Sequence, residues 1–519
     1  MTARSLLAAC LMLAALPFSG IAAEAEPDAP LAVAAMNRDM PAVRALLAKK
    51  ADVNATGSDG TTALEWVVRI DDVETAKLLI AAGADVKKAN RLGVTPIALA
   101  AANGNAAMIT LLLGAGVDAN TMDPNDEPAS WAAIRSGNVE ALRVLLDRGG
   151  NFEFRDASQQ TSLMLAVREN QPDMVRLLVS KGADVNAITR VGAKPNWVLP
   201  NSVAGFGFGK GIIRGGLPAD RGSRYLIPGG MTPLMYAARD GRLEVARILV
   251  SNGANIEKRD PNDITPLLMA ISNNQIEMAK FLIERNAQIN VIDWYGRSPI
   301  WQAVEVRNMD IDNSTFKNGV DREPVLELIK ILLDKGADPN LRTAESPPIR
   351  RFILPITGTL EWVDFVGMTP FLFAARAGDV AVMKMLLEHG ANPKIPTFNG
   401  TTALMAAAGM NWTFAQTYDE GTEQLLEAVK LCFGLGMSVN DVNSMGLTAL
   451  HAAANRPGSD PIIQWLVEHG AKMDVKDNEG RTPMTWAEGV FLATHPGVPK
   501  PTAMELLKKL MAEKMAEKK

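Results

Sequence analysis

The chain has 519 residues, 47% of them hydrophobic and 21% charged. That balance supports a large buried core and excludes a compositionally disordered chain, while the length exceeds one ordinary compact domain and leaves several domains or an extended repeat array. The formal net charge of −5 is small for this length, so no nucleic-acid partner is expected, since phosphate binding needs a basic surface.

In chain order, the N-terminus reads MTARSLLAACLMLAALPFSGIAAEAEPDAP, with a positive charge at Arg4, an apolar run from Leu6 to Leu16 and small residues before Glu24. This is the layout of a secretory signal peptide, assigned to residues 1–23, with cleavage after Ala23 or Ala25. The expectation is an exported protein, periplasmic or secreted. Leu7-Ala8-Ala9-Cys10 resembles a lipoprotein cleavage box, but the apolar run before Cys10 is too short for that role. No later apolar run is long enough to cross a bilayer, so the mature chain is expected to have no membrane span and to be soluble and monomeric. Cleavage would leave Cys432 as the sole cysteine, which excludes an intramolecular disulfide.

Residues 24–519 follow a 33-residue period. Thr95-Pro96-Ile97, Thr232-Pro233-Leu234, Thr265-Pro266-Leu267, Ser298-Pro299-Ile300, Thr369-Pro370-Phe371 and Thr482-Pro483-Met484 each open an alanine-rich helical segment. Thr62, Thr161, Thr402 and Thr448 join them, Pro128 marks a degenerate copy, and a further step back from Thr62 lands on Ala29-Pro30-Leu31, giving twelve units. A second marker follows within each unit: Gly83-Ala84-Asp85, Gly182-Ala183-Asp184-Val185-Asn186, Gly253-Ala254-Asn255, Gly336-Ala337-Asp338-Pro339-Asn340 and Gly390-Ala391-Asn392. The hydroxyl residue suits a helix N-cap and the proline the first helical position, where no amide hydrogen bond is needed. A second helix such as Leu243 to Val250 has helical apolar spacing, and its closing glycine suits a left-handed cap. No unit can bury its apolar face alone, so the units must stack.

These residues resemble the ankyrin repeat, whose signature is Thr-Pro-Leu-His-x-Ala with a later Gly-Ala-Asp-x-Asn; Thr448-Ala449-Leu450-His451-Ala452-Ala453 is a near match. The resemblance implies an all-α ankyrin-repeat solenoid of about twelve helix-turn-helix units with hairpin connections. It does not fix function, because one fold serves many partners. Whole repeats interrupted by long aromatic insertions are similar to uncharacterised exported bacterial ankyrin-repeat proteins, which implies periplasm or secretion.

The period breaks at four places, with long insertions near 191–230 and 344–367 in inter-repeat hairpins, and near 308–323 and 409–422 between the two helices of a repeat. Loops this long inside a repeat array point to function. Trp197, Phe206, Phe208, Lys210, Arg214, Trp362 and Phe365 lie in the hairpin insertions, and Trp294 and Tyr295 sit at a hairpin tip between them. Residues 191–230 have a local charge of +4 in an acidic chain. Exposed aromatic and arginine side chains are common anchors of protein interfaces, so these nine residues are the candidate partner-binding set. The opposing reading has the loops fold back over the array and bury their own aromatics.

Catalytic chemistry finds little purchase. AGFGFGKGIIRGG, residues 204–216, is not a phosphate loop: Gly211 follows the lysine where Ser or Thr is needed, and Lys210 takes the place of the third glycine of G-x-G-x-x-G. Histidine is limited to His389, His451, His469 and His495, with no metal-ligand spacing. Asp310, Asp312, Ser314 and Asp321 echo a calcium loop, but Thr315 stands where its glycine belongs. No catalytic residue, metal or cofactor is assigned. The leading expectation is an exported non-enzymatic scaffold that binds another protein through hairpin tips and insertions. The alternatives are an enzyme or small-ligand receptor with a site built by the insertions, and a secreted effector acting on host proteins.

Overall fold

A computed structural model describes residues 29–192, 228–308, 321–344, 366–410, 420–490 and 497–517. Among the described residues there are 24 α-helices in twelve consecutive pairs and no strand beyond isolated bridges within hairpins. The chain divides into two compact units, up to Phe154 and from Arg155 onward.

The first unit holds repeats 1–4: α1 (Pro30–Met36) with α2 (Met40–Ala48), α3 (Ala63–Arg69) with α4 (Val73–Ala81), α5 (Pro96–Asn103) with α6 (Ala106–Gly114), and α7 (Ala129–Ser136) with α8 (Val139–Asp147). The second holds repeats 5–12. Repeats 5–8 are α9 (Ser162–Arg168) and α10 (Pro172–Ser180), α11 (Pro233–Asp240) and α12 (Leu243–Ser251), α13 (Pro266–Ser272) and α14 (Ile276–Glu284), and α15 (Pro299–Arg307) and α16 (Arg322–Asp334). Repeats 9–12 are α17 (Pro370–Ala377) and α18 (Val380–Glu388), α19 (Ala403–Ala407) and α20 (Thr422–Gly434), α21 (Ala449–Asn455) and α22 (Asp460–Glu468), and α23 (Pro483–Gly489) and α24 (Pro501–Glu517).

Ten of the twelve first helices start directly after a Thr or Ser, while α1 follows Ala29 and has no side-chain cap. Thr232 Oγ1 accepts the Met235 amide at 3.1 Å, Thr369 Oγ1 that of Leu372 at 3.2 Å and Ser298 Oγ that of Trp301 at 3.3 Å. Pro128, which has no hydroxyl, opens α7 without a side-chain cap. The glycine ending each second helix is required by conformation: Gly336 has φ of 90°, and a Cβ there would meet nothing within 4 Å. Where the repeat lacks that glycine, Asn286 adopts the same left-handed region with φ of 63°.

Within each unit, first helices pack on first helices and second on second, with alanines such as Ala237, Ala238, Ala374 and Ala375 fully buried. Two second helices, α16 and α20, have 13 residues against the 9 of most others. Each gains one turn at its start, so α16 takes up the last residues of the stretch expected as insertion 308–323. Asp321 caps that turn by accepting the Glu323 amide at 3.3 Å. The final helix, α24, buries Ala503, Leu507 and Leu510 at helical spacing and exposes Lys508 and Lys509.

Candidate functional site

Most hairpins linking repeats are built around one Asp or Asn, three positions after the last place of the Gly-Ala-Asp-x-Asn marker. Asn90 Oδ1 accepts the amides of Leu92 and Val94 at 3.0 and 3.1 Å, and Asp260 Oδ1 those of Asn262 and Ile264 at 2.8 Å each. Asp156, Asp293, Asn443 and Asp477 do the same. One side-chain oxygen thus fixes both the bend and the return strand, which makes the tip rigid.

Successive tips are joined by backbone bonds. The Arg91 amide donates to the Asp59 carbonyl at 3.1 Å, Trp294 to Asn262 at 3.0 Å, Phe398 to Val366 at 3.1 Å, Ser444 to Asn399 at 2.7 Å and Asn478 to Met445 at 3.0 Å. The marker asparagines add a second set of links. Asn340 donates to the Gly390 carbonyl at 3.1 Å and accepts the Asn392 amide at 2.7 Å, and Asn54, Asn120, Asn186, Asn290 and Asn440 repeat this pairing with the next repeat. Asn186 reaches Gly253 and Asn255, so repeats 5 and 6 stay in register across the first insertion.

The described residues at the bases of the two hairpin insertions share one pairing pattern, here called a stalk. Thr189 donates its amide to the Met231 carbonyl at 3.1 Å and accepts the Met231 amide on Oγ1 at 3.0 Å, and Thr343 does so with Met368 at 3.2 and 2.9 Å. Threonine stands here where most other hairpins have Asp or Asn, as Thr397 also does in the uninterrupted hairpin between repeats 9 and 10, and the returning strand is Gly-Met-Thr-Pro in both insertion hairpins. A hydroxyl keeps the bond that closes the strand pair and drops the bond that tightens the tip. Arg342 reinforces the second stalk: Nε donates to the Gly367 carbonyl at 3.0 Å, Nη2 to the Pro396 carbonyl, and the guanidinium lies 4.2 Å from the Phe398 ring centroid. Burial draws that guanidinium below its usual pKa.

Trp197, Phe206, Phe208, Lys210, Arg214, Trp362 and Phe365 lie outside the described residues, as do Asp310, Asp312 and Ser314. Trp294 is half-buried at its tip. Tyr295 corrects the expectation of an exposed pair: it is buried, with the Arg297 guanidinium 5.3 Å from its ring centroid. Arg297 is itself buried and bonded to Asp293 at 2.8 Å, whose carboxyl burial pushes up against the pull of that arginine. The repeat-12 counterpart Asp477 is held below its usual range: burial raises it, but hydrogen bonds from Arg481 and Trp486 outweigh that.

Sequence reasoning missed two large apolar side chains exposed on described tips, Leu92 at 77% and Phe398 at 56%. Their signal was an apolar residue at the second or third tip position, where Asp, Asn, Ser or Pro is usual in this chain. It also missed a contrast along the first helices. Four residues after each cap, Val33, Trp66, Leu99 and Ala132 of the first unit are exposed or half-buried, as are Tyr236 and Met269 in repeats 6 and 7. In repeats 8–11 the same position, Gln302, Phe373, Ala406 and Ala452, is buried. Repeats 1–4 and 6–7 therefore present an open first-helix face that repeats 8–11 do not.

Family models described as ankyrin repeats match residues 31–80, 97–189, 234–343, 325–428 and 415–489. The chain belongs to the ankyrin-repeat family. This ankyrin chain is similar to the ankyrin repeat protein FPV230 of fowlpox virus (strain NVSL), with 29% identity over 189 residues, 36% of this chain and 73% of the viral protein. It is also similar to the Caenorhabditis elegans homologue of transient receptor potential cation channel subfamily A member 1, with 26% identity over 190 residues, 34% of this chain and 14% of the channel. Among solved structures, the human ASB11 ankyrin repeat domain matches at 24% identity and a TM-score of 0.39, covering 50% of this chain and 98% of that domain. Ankyrin-repeat domains are generally protein-binding scaffolds and typically non-catalytic.

Cys432 is fully buried, and burial pushes its thiol up to about 12. Among the described residues no group of three or more His, Cys, Asp or Glu side chains could hold a metal ion, and no helix is long and apolar enough to cross a membrane.

Proposed function

We propose that this chain is an exported, non-catalytic ankyrin scaffold, periplasmic or secreted, that binds another protein along its hairpin edge. The observation that carries the reading is the pairing of rigid tips with exposed apolar side chains. Leu92 stands in solvent on a bend locked by Asn90, and Phe398, with one ring face against Arg342, exposes the rest of its ring beside the Thr343 stalk. A preordered anchor gives up little conformational entropy when a partner covers it. The insertion residues Trp197, Phe206, Phe208, Lys210, Arg214, Trp362 and Phe365, which lie outside the described residues, are proposed to add aromatic and basic contacts to the partner. Export rests on the charge, apolar run and small-residue boundary of residues 1–25.

Two measurements test this. Intact mass of the protein recovered from its producing cell should place the mature N-terminus at Glu24 or Glu26; a retained Arg4 segment removes the export claim. A partner identified by crosslinking to the native protein should be lost from the L92S/F398S variant at unchanged melting temperature. Full retention of that partner removes the hairpin edge as the binding surface.

A further inference from the structure

In a repeat array each unit ordinarily touches only its immediate neighbours, so stability is a sum of single-repeat and nearest-neighbour terms. Four charged side chains in the second unit break that rule. Arg307 closes α15 in repeat 8, Arg322 opens α16 in the same repeat, Asp379 caps α18 in repeat 9, and Glu420 precedes α20 in repeat 10.

Asp379 is the hub. Its Oδ1 accepts the Val382 amide at 3.3 Å, and its Oδ2 takes Arg307 Nε at 2.8 Å and Arg322 Nη2 at 3.3 Å. The two arginines also exchange main-chain bonds, Arg322 Nε to the Arg307 carbonyl at 3.1 Å and Arg307 Nη1 to the Arg322 carbonyl, while Asn308 Oδ1 accepts Arg322 Nη2 at 3.2 Å. Arg322 Nη1 then pairs with Glu420, passing over repeat 9, and the Glu420 amide donates to the Ala377 carbonyl at 2.9 Å. Arg307 and Asp379 are 6% and 2% exposed at the side chain, so salt and water screen this pair little. The extra first turn of α16 is what brings Arg322 within reach, since a 9-residue helix would begin one turn later.

We propose that Arg307, Arg322, Asp379 and Glu420 form a lock that couples repeat 8 directly to repeat 10, so that repeats 8–10 open as one cooperative block. The lock stands at the ends of both stretches that interrupt a helix pair, 309–320 and 411–419, and holds their bases in a fixed relation. A perturbation at one base is therefore felt at the other without first loosening the repeat between them.

Native-state hydrogen exchange on the full chain, read by mass spectrometry of peptides, tests this. Glu420→Gln should speed exchange of α15 and α16 about tenfold, at least as much as it speeds α17 and α18. Arg322→Gln should give the same pattern, and the double variant should be no faster than the faster single one. Should either glutamine variant fail to fold, Glu420→Asp, which keeps the charge and shortens the reach, gives the same reading at smaller amplitude. An effect of the Glu420 variants that fades from repeat 10 through repeat 9 to repeat 8 is the nearest-neighbour result and overturns the lock, as does additivity of the two glutamine substitutions.

Discussion

His451 accepts the Thr448 amide on Nδ1 at 3.1 Å and reaches the Arg481 carbonyl through Nε2 at 3.2 Å. Only a neutral imidazole protonated at Nε2 satisfies both, and burial lowers its pKa accordingly. Because the folded value lies below the ordinary imidazole range, the unfolded chain takes up the proton first. The contribution is complete above that range and is lost as pH falls through it toward the folded value. His389 runs the other way: bonds to the Met385 carbonyl and to Asp334 raise its pKa, so its smaller, exposed contribution is lost as pH rises. Melting of the wild type should therefore fall between pH 7.5 and 5.5 more than melting of H451Q, and parallel curves would assign the acid sensitivity elsewhere. Thr343 is legible in a different way. Its Oγ1 accepts the Met368 amide while fully buried, so T343V strands a buried donor and costs about 1–3 kcal/mol in urea unfolding, whereas T343S retains the bond. Equal losses in both variants would show that methyl packing, not the hydroxyl, holds the stalk.

Caps, helix periods and glycine ends are local, and they stood in the sequence as Thr-Pro and Gly-Ala-Asp before any coordinate was known. The stalks were half legible. Thr189 and Thr343 replace the Asp or Asn of most other hairpins, but Thr397 does so without an insertion, and the substitution acquires meaning only when Met231 and Met368 are seen to close on them. The burial of Tyr295 was not legible, because Tyr295 and Trp294 are adjacent at a turn and only the packing of Arg297 decides which ring faces inward. At this scale the first insertion is separable from its support. Gly192 donates its amide to the Pro228 carbonyl at 2.7 Å, next to the Thr189–Met231 pair, so a two-residue Asn-Gly link can replace residues 193–227. Scanning fluorimetry should give an unchanged or higher melting temperature, since each halving of a loop removes about 0.6 kcal/mol of closure entropy. A markedly lower one would mean that the segment covers the array instead of serving a partner.

For the whole molecule, twelve helix pairs in two compact units are expected to unfold in more than one step. Stability that sums over neighbouring repeats loses cooperativity in long arrays. Calorimetry should return a van't Hoff enthalpy well below the calorimetric one, and equality of the two would show one all-or-none transition. The repeat class, the number of units, the starts of the first helices and the places where the period breaks were determined by the sequence alone, because each rests on contacts between residues close in the chain or on a strict 33-residue step. Tertiary structure alone decided which first-helix faces stay open, that asparagines such as Asn186 reach the next repeat across an insertion, and that Arg322 meets Glu420. Those outcomes depend on which side chains stacking brings together from far apart in the chain, and a one-dimensional pattern has no term for that.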